Sequence, residues 1–259
     1  MGGSEAVAVI GLGEIGKPLL ELVAEKYVSH GIDIDTKVAE KTFDILHICY
    51  PYRGDDFVET TVEYVRRFQP RLVIVNSTVA VGTTRRIHAA ARASIVNSPV
   101  RGKHLRMRQE MLLYTKFIGG IDEASCREAE EHFARIGMKT RILESPEASE
   151  LAKLTETTYF GLLIAWAQEV ERYCNLFGVS YDEVVSIYDE INYLPRVKFF
   201  PGVIGGHCVM PNIALLKNGL SSEILDAIES SNELKKGKRL PARSTRVPTL
   251  RKKRELGVS

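Results

Sequence analysis

Two side chains in this chain have the types and settings that do covalent and proton chemistry. Cys208 lies in Gly205-Gly206-His207-Cys208, whereas Cys49 in Ile48-Cys49-Tyr50 and Cys174 in a helical stretch read as small hydrophobes. A thiolate nucleophile needs access and nearby positive charge, which a glycine-rich loop, His207 or a cationic lysine would supply. His207 reads equally as a base or as an ordinary polar loop residue. Lys153 falls in a long helical pattern, where a lysine on the inner face can donate to an alkoxide. The same lysine has Glu150 and Glu156 three residues away on either side, the spacing of surface ion pairs.

Other residues have the spacing of a phosphate cradle. The apolar run Ala6–Ile10 breaks at Gly11-Leu12-Gly13-Glu14-Ile15-Gly16, and Lys17 onward is apolar at helical spacing. Strand, glycine turn and helix follow in that order. Gly11 allows the tight turn, Gly13 lets backbone approach a pyrophosphate, and Gly16 lets the helix pack on the strand. Glu14 and Ile15 open a helix whose unpaired N–H groups favour phosphate. Asp33 comes 22 residues after Gly11, at the end of a second strand, where a carboxylate accepts from both ribose hydroxyls and repels a 2′-phosphate. That favours NAD over NADP. Asp35 competes for the role, and Lys37 keeps NADP open.

Strands are expected at 43–49, 72–75, 93–96, 116–118 and 140–143, with helices at 55–68, 83–92 and 123–136 between most of them. Short strands alternating with helices predict an α/β fold with a parallel sheet covered on both faces. After Ser145-Pro146 the pattern becomes helical to about Phe177, with apolar positions on more than one face. Gly178 ends that helix, 182–191 reads as another, and a last helix is expected at about 212–228. The net charge of +2 hides a basic tail: from Ser231 onward, ten Lys and Arg stand against two Glu. The body is therefore acidic, which argues against a nucleic-acid partner, and the proline-punctuated tail should be mobile. Arg101, Lys103, His104, Arg106 and Arg108 form a basic run that suits a phosphate, a carboxylate or a solvated face. No apolar stretch approaches the length of a membrane helix, no charged start with a long apolar run marks a secretory signal, and the cysteines form no CxxC pair. A reducing, cytoplasmic setting is expected, with no metal.

The order of these motifs resembles the UDP-glucose/GDP-mannose dehydrogenase family across about residues 5 to 216. The resemblance rests on the Gly11–Gly16 turn, Asp33, Asn76-Ser77-Thr78-Val79 with Gly82-Thr83-Thr84, Asn97-Ser98-Pro99, Gly119-Gly120, Ala148 to Glu156, and Gly205-Gly206-His207-Cys208. It implies an NAD-dependent oxidoreductase that takes the C6 alcohol of a sugar nucleotide to a carboxylate in two steps. By position Cys208 matches the cysteine that forms the thiohemiacetal and thioester. Lys153 matches the lysine that stabilises charge on the substrate oxygen, Thr78 the threonine near nicotinamide and water, and Pro51 the cofactor-contacting proline. Three positions depart from the pattern: Val100 replaces a glutamate, Thr157 an asparagine and Asn212 an aspartate.

The resemblance further implies a Rossmann-type doubly wound sheet at residues 1–145, a smaller all-α dimerisation and substrate domain at 146–230, and the basic tail at 231–259. Only 47 residues follow Asn212, so the family's third, nucleotide-sugar-binding domain is expected to be absent. A homodimer through the long helix, a cytoplasmic place in nucleotide-sugar metabolism and polysaccharide biosynthesis, and no membrane or nucleic-acid partner are the remaining expectations. Two alternatives follow from the departures. One is a single-step β-hydroxyacid-type dehydrogenase using Lys153, and the other a non-catalytic NAD-binding protein.

Overall fold

The computed structural model describes residues 5–36, 42–102, 106–192, 199–206, 208–219 and 221–237. The chain divides into two compact units, Met1–Leu163 with Gly205–Ser222, and Ile164–Ile204 with Glu223–Ser259. The division falls inside the long helix that begins at Pro146.

The first unit is built on strands β1 (Ala6–Ile10), β2 (Val28–Ile32), β3 (Ile45–Ile48), β4 (Leu72–Val75), β5 (Ile95–Asn97), β6 (Lys116–Gly120) and β7 (Thr140–Leu143). They form one sheet in the order β2-β1-β3-β4-β5-β6-β7. β3 and β4, ILHI and LVIV, are buried at every residue, as strands covered on both faces must be. Alternation along β1 sorts the two layers: Val7 and Val9 pack with α1 (Gly16–Ala24), α4 (Met107–Leu113) and α5 (Glu123–Arg135). Ala8 and Ile10 pack with α2 (Asp55–Phe68) and α3 (Thr83–Ala91). α2 presents Phe57, Val58, Thr61, Val62, Val65 and Phe68 to that layer, one apolar stripe at helical spacing.

The sheet is parallel from β2 through β5, as the alternation of strands and helices predicts, and its far side holds one antiparallel pairing. β6 runs antiparallel to β5, and β7 is parallel to β6. Between β5 and β6 lies α4, a seven-residue helix that the apolar spacing did not announce.

A polar seam crosses this apolar layer. Asn76 Nδ2 lies 3.0 Å from His47 Nδ1, and His47 Nε2 lies 2.8 Å from His132 Nε2. The amide nitrogen can only donate, so His47 carries its proton on Nε2, donates to His132 Nε2, and leaves the His132 proton on Nδ1. That Nδ1 is buried without a hydrogen-bond partner. Both rings are neutral in the fold. Burial holds His47 well below the usual histidine value, with His132 and Lys116 adding repulsion, and pushes His132 down to about 3, with Arg135 and Arg71 adding repulsion.

In the second unit, the C-terminal part of α6 (Pro146–Phe177) packs through Val170 and Cys174 against Val185 of α7 (Tyr181–Ser186). A 3-10 turn, Ile187–Glu190, follows α7. Gly178 at φ +68° ends α6, as its position predicts. The loop ending at Ile204 is held by buried side chains. Gln168 donates to the Gly202 carbonyl at 2.6 Å, and Asn232 both accepts from Ile204 N at 2.8 Å and donates to Ile204 O at 3.0 Å.

The expected single helix over 212–228 is two helices, α8 (Val209–Lys217) and α9 (Glu223–Lys235). Asn218-Gly219, a helix-stopping pair, separates them. α9 carries the helix into the first residues of the expected tail, and 238–259 lie outside the described residues. Among the described residues no helix is long and apolar enough to cross a membrane.

The histidine pair sets a pH dependence whose sign is fixed. Folded, the rings bind no proton; unfolded, each binds one below about pH 6.5, so acid favours unfolding from there down toward the depressed folded values. The urea midpoint is expected to fall between about pH 7 and pH 5, and to fall less in His132→Gln, which accepts from His47 but does not titrate. Equal losses in both proteins would exclude the pair as the source.

Candidate functional site

The strand order reverses between β1 and β3, so the carboxyl ends of these strands open a crevice, the usual ligand position in doubly wound sheets. Gly11 turns there at φ +91°, and a Cβ on it would lie 2.7 Å from Tyr50 N. A Cβ on Gly16 would lie 1.8 Å from the Gly11 carbonyl oxygen, so no other residue lets α1 start this close to the turn. Gly13 has nothing within 4 Å of a Cβ position, leaving open space above exposed backbone at the head of α1. Glu14 is exposed and Ile15, the residue before α1, is half-buried.

Asp33 closes the turn from β2. Its Oδ2 accepts from Leu12 N at 3.0 Å and its Oδ1 from Ile34 N at 2.9 Å, which fixes an exposed carboxylate with lone pairs to spare. Asp35 is exposed two residues on. Pro51, directly after β3 and Tyr50, is also exposed, while Thr78 is half-buried between β4 and α3. The open turn, the free helix start and the anchored acid fit a dinucleotide with a free 2′-hydroxyl. Lys37 lies outside the described residues.

Lys153 is placed by the start of α6, through three neighbours on that helix. Glu150, buried, accepts from Gly82 N at 2.6 Å, Thr84 N at 2.8 Å and Thr84 Oγ1 at 2.7 Å, capping the N-terminus of α3 from another helix. Burial still raises its carboxyl above the usual range, against the lowering effect of these bonds. Ser149 donates to Asn97 Oδ1 at 2.8 Å, and Glu147 takes Arg85 in two contacts of 2.6 and 2.9 Å. Of the two possible ion-pair partners, therefore, Glu150 is committed to α3, and Lys153 pairs with Glu156 at 3.5 Å.

Cys208 is exposed and stands at the N-cap of α8, while Cys49, Cys126 and Cys174 are buried. Burial pushes the Cys49 thiol up to about 12 and raises Cys126 as well, which leaves both protonated and inert. His207 lies outside the described residues. One turn beyond Cys208, buried Asn212 donates to Thr157 Oγ1 at 2.7 Å, and Thr157 in turn donates to the Lys153 carbonyl at 3.1 Å. This neutral pair ties the helix of Lys153 to the helix that Cys208 precedes. Val100 is buried.

The basic run is largely neutralised. Arg101 pairs with Glu156, Arg106 with Glu110 and Arg108 with Glu25; Lys103 and His104 lie outside the described residues. Sequence reasoning missed Lys116, buried on β6 and donating to the Ser98 carbonyl. Burial pushes its amine down to about 7, with Lys153 adding repulsion. A lysine opening an expected strand at the foot of the Asn97-Ser98-Pro99 segment was the available signal. Among the described residues no group of three His, Cys, Asp or Glu could hold a metal ion.

Residues 147–234 match the model of the UDP-glucose/GDP-mannose dehydrogenase family, central domain. A curated relative, UDP-N-acetyl-D-mannosamine dehydrogenase of Pyrococcus horikoshii, is 27% identical, with 81% of this chain and 63% of the relative covered. The chain thus spans less than two thirds of that relative's length. The solved structure of UDP-D-ManNAc dehydrogenase from the same organism superposes with a TM-score of 0.76 at 23% identity, covering 89% of this chain and 68% of that one. The fold is shared equally with Mycobacterium tuberculosis 3-hydroxyisobutyrate dehydrogenase, at a TM-score of 0.72 and 17% identity, covering 90% and 94%.

Glu150 carries a testable energetic weight. Glu150→Ala leaves three donors at the head of α3 without an acceptor and is expected to cost about 2–3 kcal/mol in urea unfolding. Amide exchange at Gly82 and Thr84 should quicken with it. A change no larger than that of an exposed glutamate would show that α3 does not need the cap.

Proposed function

We propose that this chain, a member of the UDP-glucose/GDP-mannose dehydrogenase family, is an NAD-dependent oxidoreductase that oxidises the alcohol of a sugar nucleotide or a similar polar substrate. What supports the reading is an anchored Asp33 beside an open glycine turn, an α6 that carries Lys153 and is tied to α8 through Thr157 and Asn212, and an exposed Cys208 at the N-cap of α8.

Gly11, Gly13, Glu14, Ile15 and Gly16 would hold the pyrophosphate, Asp33 the adenosine ribose, and Pro51 and Thr78 the nicotinamide side. Bound there, NAD supplies the hydride acceptor for each oxidation. Lys153 would place its ammonium on the substrate oxygen and steady the negative charge that develops on it. Cys208 Sγ would add to the aldehyde carbon, giving a thiohemiacetal and, after the second oxidation, a thioester. Water, positioned by Thr78, would then release the carboxylate and return the thiol.

Val100 and the neutral Thr157–Asn212 pair favour a second reading, since neither position offers a carboxylate to activate that water. In it, a single oxidation uses Lys153 alone and Cys208 is a bystander.

Calorimetric titration is expected to show NAD bound more tightly than NADP, and NAD binding strengthened by one sugar nucleotide. Cys208→Ala should then abolish carboxylate formation and covalent trapping of aldehyde while NAD binding persists. Unchanged turnover in that variant would select the single-step reading, and no dinucleotide binding at all would overturn both.

A homodimer through α6 belongs to the same proposal. In the second unit, Trp166, Tyr173 and Phe177 are exposed and share one face of the C-terminal part of the helix, an apolar stripe of the kind that a partner helix covers. Light scattering is expected to give roughly twice 28.9 kDa, and Trp166→Glu to shift the mass toward the monomer. A monomeric parent protein at micromolar concentration would reject it.

A further inference from the structure

The lysine that opens β6 is set among apolar neighbours. Lys116 is 5% exposed, and its Nζ donates to the Ser98 carbonyl and lies 5.1 Å from the ring centre of Phe133. Among the described residues, the titratable groups that face it are His47 on β3, Cys49 just past that strand and Lys153 on α6, none of them a carboxylate. Glu110 and Arg101 line the same small cavity, but Glu110 pairs with Arg106 and Arg101 with Glu156. An ammonium in such a place costs free energy, and burial holds the amine at about 7, far below the usual lysine value of about 10.4. Methionine, of similar length, would fill the space without that penalty.

What the amine does is local. The Ser98-Pro99 peptide has a carbonyl but no N–H, and Lys116 takes that carbonyl while the Ser98 hydroxyl donates to Phe117 O at 2.7 Å. Two neighbouring residues of β6 thus grip one serine. From β4, Val75 O accepts from Ser98 N at 2.8 Å and Asn76 O from Val100 N at 3.2 Å, at the strand end that runs on to Thr78. From α6, Ser149 donates to Asn97 Oδ1 at 2.8 Å, one turn before Lys153. The Asn97–Arg101 segment is therefore bonded on one side to the strand that precedes Thr78 and on the other to the helix of Lys153.

We propose that Lys116 is a positioning residue: its amine, reaching the Ser98 carbonyl from inside the fold, fixes the Asn97–Arg101 segment between the strand end that leads to Thr78 and the helix that carries Lys153, at a cost to global stability. The proposal rests on the reading of Thr78 and Lys153 as site residues. Its two parts move in opposite directions when the amine is removed. Global stability rises, because no charge is buried, while the segment loosens, because the Ser98 carbonyl loses its donor. A residue that served packing alone would lower both. The stability cost also has a fixed pH dependence. Folded, the amine binds its proton only below about 7, and unfolded below about 10.4, so the fold gains stability as pH rises between these values. Lys116→Met lacks that dependence.

The test is urea unfolding and native-state amide exchange of the full chain. Lys116→Met is expected to have a higher urea midpoint than the parent at about pH 7, the gap closing toward about pH 9.5, while exchange at the Ser98 and Val100 amides quickens by about tenfold. A lower midpoint at neutral pH, a gap that does not change with pH, or unchanged exchange at both amides would overturn the proposal. If Lys116→Met does not fold, Lys116→Leu is read in the same two ways, and failure of both to fold overturns it, because the amine is then a structural requirement. Binding is a separate readout, taken by calorimetry with NAD and then with UDP-N-acetyl-D-mannosamine as the probe. NAD affinity is expected to be the same in parent and variant, and sugar-nucleotide affinity to fall in the variant. The opposite shifts in stability and exchange without sugar-nucleotide binding by the parent would remove the proposed activity and leave the hold on the segment standing. Equal sugar-nucleotide binding by parent and variant would remove the positioning role and leave the activity.

Discussion

The carboxylate of Glu150 is the constraint on which the candidate site depends. A helix that begins at Gly82 leaves its first N–H groups without partners, and buried donors of that kind cost free energy. Glu150 satisfies two of them and the Thr84 hydroxyl from a helix more than sixty residues away in sequence. Burying a carboxylate is itself expensive, and three donors at a positive helix end are what offset it. With Glu150 fixed, Ser149 meets Asn97 and Glu147 meets Arg85, and Lys153 follows one turn later on α6. The α3 segment that Glu150 grips is also the one that Thr78 leads into. The start of α6, through Glu147, Ser149 and Glu150, is thus fastened to α3 and to the end of β5.

Polar groups inside the sheet obey the same logic with less compensation. His47 sits in a strand that is otherwise apolar, and its pairing with His132 and Asn76 satisfies all but the last proton in the chain. Lys116 is buried with its amine on the Ser98 carbonyl and over the Phe133 ring at 5.1 Å. Desolvation on this scale shifts charge states toward neutrality before it breaks a fold. The layer between β3, β6 and α5 accordingly carries nitrogen atoms whose protonation state is set by structure, next to the segment that leads from Asn97 to Arg101.

Much of the architecture was legible because it is local. The strand, glycine turn and helix from Ala6 to Ala24, the acid at Asp33, the bounds of α2 and the stop at Gly178 are each written in short-range patterns of apolar spacing and special backbone residues. What escaped depends on distant partners. α4 has a short stripe with buried Met107, Glu110 and Met111, too brief to read as a helix, and the strand after it, β6, runs antiparallel to β5. Glu150 and Glu156 are equivalent by spacing from Lys153, and only the location of Gly82 and Thr84 separates a cap from an ion pair. Arg101 looked like one member of a basic run, and the rings that hold it come from Tyr114 and Phe117, thirteen and sixteen residues on. The break between α8 and α9 was marked by Asn218-Gly219 and lost to the apolar residues on both sides.

The distribution of the four thiols has a practical side. Three are enclosed, two of them held protonated by burial, and the fourth stands in the open at the head of α8. The unaltered chain is therefore already a single-address scaffold for maleimide chemistry, with no cysteines to engineer away. A fluorophore or spin label attached to it would report from the loop that enters α8, and the enclosed three would become reactive only as the fold opened, giving an internal clock for unfolding in the same sample.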